Sequence, residues 1–182
     1  MIDRGLIGQY VLLFLADGVA GYFLQFVGYA LAIHAFNKRR IIIKSFLSMV
    51  IIFAIFSFVI RNTPYIKFGC HTILTAIICV IISCKVFKTE IYPTVLAVLL
   101  TIVSILFFEM LTFVIFTTIL GSEDFSKFFV GIKTTAESIS RALLGVPTNI
   151  LLVIEMFIVY KYYLKKVKND DLNGAADKEN SR

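Results

Sequence analysis

Five long stretches of apolar residues, divided by short polar punctuation, run along this chain. They cover residues 6–36, 41–60, 70–86, 93–120 and 146–164. A helix rises 1.5 Å per residue, so ~20 apolar residues cross a hydrocarbon core ~30 Å thick. The pattern predicts an all-α, polytopic transmembrane helical bundle of about five spans. The first stretch is longer than one upright crossing needs. Gly18, Gly21 and Gly28 within it permit a bend or a close helix approach, and a hairpin of two short helices would raise the span count to six.

Between the fourth and fifth stretches, Phe125, Phe128, Phe129 and Ile132 recur at i, i+3, i+4 and i+7 among Ser, Lys, Thr and Glu. That spacing predicts an amphipathic helix over about 122–142, lying in the interface plane. Pro147 stands in the first turn of the fifth span, where its missing N–H costs nothing. Residues 169–182 are polar and aperiodic, as a disordered cytoplasmic tail would be. The expectation is one integral membrane domain over residues 1–168 with no appended catalytic domain. Its first span is retained, because no small-residue cleavage pattern interrupts it.

Composition agrees. Of the 182 residues 59% are hydrophobic and only 16% charged, with a mean hydropathy of +0.89, far from the quarter charged that soluble domains approach. The net charge of +6 does not point to nucleic acid, because the basic residues sit between apolar runs and in the tail. They orient the chain instead. Lys38, Arg39, Arg40, Lys44, Lys85, Lys88, Lys161, Lys165, Lys166, Lys168, Lys178 and Arg182 fall on one side. Arg4, Arg61, Lys67, Lys127, Lys133 and Arg141 fall on the other. Twelve against six predicts an outside N-terminus and a cytoplasmic C-terminus. His34 with Lys38, Arg39 and Arg40, and Tyr160, Tyr162 and Tyr163 with Lys161, Lys165 and Lys166, read as headgroup-level anchors on the inner side.

Candidate chemistry is sparse. Cys70, Cys79 and Cys84 share one short apolar segment and read as plain thiols rather than a disulfide framework. Cys70 and His71 supply too few ligands for a metal, so neither metal nor other cofactor is expected. Glu109 and Glu155 fall near the middle of their spans, where ionised groups are expensive and usually face a bundle interior. Each is expected to carry a proton or to hydrogen-bond to Ser, Thr, Tyr or the other Glu. Asp17 falls nearer the outer side, within reach of a snorkelling Arg61. Such acids serve as polar glue between helices, as ligand or cation sites, or as proton relays.

The segment "RNTPYIKFGCHTILTAIIC", residues 61–79, carries two resemblances. Arg61, Pro64 and "FGCHT" at residues 68–72, with Glu109 in the following long span, resemble the multi-span sensor region of certain Gram-positive bacterial sensor histidine kinases. No phosphoacceptor helix or ATP-binding domain follows Lys168, so that resemblance implies a free-standing sensor-like or accessory module in a bacterial cytoplasmic membrane. Arg61, Gly69, His71 and Cys79 also resemble the motif of the accessory gene regulator B peptidases. In that family the cysteine lies seven residues after the histidine. Here it lies eight after, which turns the side chain about 80° away on a helix.

The sequence thus predicts a non-enzymatic sensor-like or accessory signalling module in the lipid bilayer. Its ligand or partner would meet Arg61, His71, Glu109, Glu155 and Asp17. A small transporter or channel subunit, or a membrane-embedded cysteine endopeptidase, are the alternatives. The partner would be a membrane or cytoplasmic signalling protein, or a transporter subunit.

Overall fold

The computed structural model describes residues 23–61, 70–120 and 145–166. The expected interfacial helix at 122–142, the tail, Asp17 and the connection at 62–69 lie outside the described residues. Within them the chain is all-helical, with no strand: α1 (Leu24–Phe36), α2 (Ile43–Arg61), α3 (Cys70–Lys85), α4 (Ile91–Leu120) and α5 (Gly145–Lys166). Helices α2, α4 and α5 are long and apolar enough to cross a bilayer, while α1 and α3 are shorter apolar helices. Helix α4, at 30 residues and about 45 Å, exceeds the ~30 Å core and must tilt within it or project beyond it.

Helix α1 is the centre of the bundle. Phe26 and all eight residues from 28 to 35 are buried, and eight consecutive buried positions cover every direction around a helix axis. Helices α2 and α4 pack directly on it, and α3 packs on both of those. Helix α5 completes the enclosure, with Leu152 seated over Gly28. A methyl group on Gly28 would fall 2.8 Å from Leu152 Cδ2 and 2.9 Å from its Cγ. Lipid tails are as apolar as leucine, so helices in a bilayer gain little by hiding apolar surface and associate instead through close packing and hydrogen bonds. Gly28, Ala30, Ala32 and Ala35 let neighbouring backbones come near, and Phe26 stacks edge-on to Phe53 of α2 at 6.0 Å.

Polarity is distributed inside-out. Ser57, Ser83, Thr94, Thr101 and Ser104 are buried, whereas Ile55 and Val59, Ile77 and Ile81, Phe107 and Met110, and Ile154 and Ile158 are exposed. A water-soluble monomer rarely exposes so continuous an apolar surface. The buried hydroxyls are satisfied locally: Ser83 donates to Cys79 O at 2.7 Å and Thr101 to Ala97 O at 2.8 Å. These features and the three long apolar helices are compatible with an integral membrane protein.

Where the helices turn, lysines take the left-handed conformation, Lys38 and Lys88 both at φ 52°. Lys38 closes α1 in a Schellman arrangement: Arg39 N donates to His34 O and Lys38 N to Ala35 O.

Candidate functional site

Two ends and a middle organise the polar groups. At the basic end, the α1–α2 and α3–α4 connections are laced together. Asn37, the residue after α1, donates through Nδ2 to Ile33 O at 2.9 Å and to Thr94 Oγ1 at 3.1 Å, while its Oδ1 accepts from Glu90 N at 2.9 Å. Thr94 donates onward to Glu90 O at 2.6 Å, and its oxygen sits 2.9 Å from the Thr89 hydroxyl. Arg39 reaches across to the carbonyls of Phe87, at 2.8 Å, and Lys88. Tyr160 on α5 accepts from Ile41 N at 3.0 Å, just before α2 begins.

These ties correct the anchor reading at two positions. Tyr160 is buried and serves as a strut between α5 and α2 rather than as a headgroup anchor. His34 is buried too, its Nδ1 2.8 Å from Ala30 O and its ring against Phe46 at 5.6 Å. Lys38, Arg40, Tyr162, Lys165 and Lys166 are exposed, and Tyr163 is half-buried with its ring 5.2 Å from Phe36. Replacing Tyr160 by phenylalanine keeps the packing and removes one bond to a backbone amide. The expected cost is about 1 kcal/mol, seen as a lower thermal midpoint in detergent micelles and faster exchange of the Ile41 amide.

The same ties fix direction. Arg39 contacts Phe87, so the start of α2 and the end of α3 lie together, and the packed helices α2 and α3 run antiparallel. Arg61, the last residue of α2, and His71, in the first turn of α3 and half-buried, therefore share the opposite end. Cys79 does not join His71. The two stand on one continuous helix, eight residues and about 12 Å apart along its axis. Cys79 is 1% exposed within the core, as a free thiol. A thiolate–imidazole pair needs about 3 Å between sulfur and base, and α3 does not provide it.

The glutamates separate as well. Thr112 of α4 and Thr148 in the first turns of α5 hydrogen-bond at 2.9 Å, which sets the register of the two helices. Glu109 lies three residues before Thr112, about 4.5 Å from that level, and Glu155 seven residues beyond Thr148, about 10.5 Å from it. Helices α4 and α5 run antiparallel, since α1 ends beside the start of α4 and runs parallel to α5. Both glutamates therefore lie on the same side of that bond, about 6 Å apart in level, but Glu109 is exposed among Leu106, Phe107 and Met110 on the outer face of α4. Glu155 is half-buried at the middle of α5, and its Oε2 is buried with no hydrogen-bond partner. One carboxylate faces out and the other in, so they do not form the shared polar interior expected from the sequence.

Asn37, Thr94 and Tyr160 were not legible as a network. The available signal was an asparagine directly after an apolar helix, a typical helix-ending residue. No family model matches this chain, and neither the curated proteins nor the solved structures contain a significant match to it.

Proposed function

We propose that this chain is a non-enzymatic membrane module, sensor-like or accessory to a signalling partner. Its ligand or partner engages Glu155 and the end of the bundle bearing Arg61 and His71, and thereby shifts helix packing. The observation that carries this reading is Glu155 Oε2, a carboxyl oxygen at mid-helix, buried without a hydrogen-bond partner. Burying a polar group unpaired costs a few kcal/mol, and inside a membrane bundle such a group is a binding or relay site by default. The lacing at the basic end supports transmission. A displacement of α5 at Glu155 passes through Tyr160 to the start of α2, and from α1 through Asn37 to the start of α4. Interfaces of this kind switch between discrete packings.

The test compares Glu155→Leu with wild type. Leucine relieves the unsatisfied oxygen, so the expected outcome is a thermal midpoint equal to or above wild type, by about 1 kcal/mol of added stability. The tagged wild-type protein, purified from native membranes, should carry a stoichiometric signalling partner or small molecule detectable by mass spectrometry, and the leucine variant should lose it. Recovery of both proteins alone would overturn the accessory reading. The same buried carboxyl oxygen favours a transport or channel subunit second, and Glu155→Gln abolishing ion uptake in reconstituted vesicles would replace the first reading with that one.

A further inference from the structure

Apart from Glu155, the basic end holds a cavity of about 90 Å³ between the α1–α2 and α3–α4 connections. His34, Arg39, Arg40, Ser45 and Thr89 line its polar wall, and Met49 closes its apolar floor. Among the described residues no carboxylate lines it. Ser45 belongs to the first turn of α2, which has no acidic residue and whose free amides and dipole favour an anion. His34, 7% exposed, is a buried polar side chain facing this cavity. Arg39 is fixed by its bonds to Phe87 O and Lys88 O, so one cationic wall is preorganised.

We infer that this cavity seats the phosphate of an anionic phospholipid headgroup. Basic pockets between membrane helices hold such headgroups, and guanidinium and hydroxyl donors suit phosphate oxygens. The lipid source follows from the adjoining surface. Ile43, Leu47 and Ile51 are exposed at i, i+4 and i+8 on α2, leading away from Arg40 and Ser45, so an acyl chain lies along α2 while its headgroup occupies the cavity.

The test measures the thermal midpoint of the full-length protein in non-ionic micelles. The ligands are short-chain phosphatidylglycerol, inorganic phosphate and dioctanoylglycerol. Phosphatidylglycerol should raise the midpoint saturably and the other two should not. Arg40→Gln and, separately, Ser45→Ala should leave the ligand-free midpoint unchanged, and Arg40→Gln should raise the half-saturating lipid concentration about tenfold. The paired control Lys161→Gln/Lys165→Gln should leave lipid binding as in wild type. An equal shift from inorganic phosphate, removed by Arg40→Gln, would support the phosphate seat and overturn the lipid as its source. An equal shift from dioctanoylglycerol, undiminished binding in both cavity variants, or a tenfold loss in the lysine control would overturn the site.

Discussion

Gly28→Leu should destabilise the bundle by about 2–3 kcal/mol, the cost of overpacking a closed interface. Leucine is the better residue for membrane insertion and for helix propensity, so both single-helix terms run the other way, and only packing against α5 can produce the loss. Even the first carbon of the new side chain would sit 2.8 Å from Leu152 Cδ2, and Leu152 is fully buried, so moving it displaces its own close-packed neighbours. Thermal unfolding in detergent micelles reads the cost. A cycle of Gly28→Ala and Leu152→Ala gives a second reading, since the small pair should recover between 0.5 and about 3 kcal/mol relative to the sum of the singles. An unchanged midpoint for Gly28→Leu would mean that α1 and α5 do not meet at this point.

The second large effect is expected at Asn37. Asn37→Ala removes three hydrogen bonds in one step, to Ile33 O, Thr94 Oγ1 and Glu90 N, each worth about 1 kcal/mol net, for a loss of about 3 kcal/mol. Asn37→Asp keeps an acceptor for Glu90 N, but it has no donor for Ile33 O and sets a charge against that carbonyl, so it should not rescue. Amide exchange at Glu90 and protease cleavage between residues 37 and 42 should both rise in the alanine variant. If alanine and aspartate each match wild type in these measurements, the end of α1 is not tied to the start of α4.

The helices were legible because hydropathy and length alone define them. Helix α4 begins at Ile91, two residues before Pro93, because proline's missing amide is among those a helix start leaves unpaired. What the sequence could not supply was register between helices. Glu109 sits well inside a long apolar run, but hydropathy does not say which face of its helix it occupies. Its level relative to Glu155 depends on the Thr112–Thr148 bond, made between residues on two different helices. His34 and Tyr160 were misread for a related reason. Amphipathic residues near a helix end suit a headgroup belt and a helix junction equally well, and only the presence of Ala30 O and Ile41 N as partners decides. Gly28 did announce a close approach, but nothing local named Leu152 as the residue that fills it.

That pairing also sets an order of events at the ribosome. Gly28 and Leu152 are separated by 124 residues, so at ~5–20 residues per second the central helix is made about 6–25 s before its last neighbour. For that interval the notch beside Gly28 lacks Leu152, and translation must deliver α5 before the packing around α1 is complete.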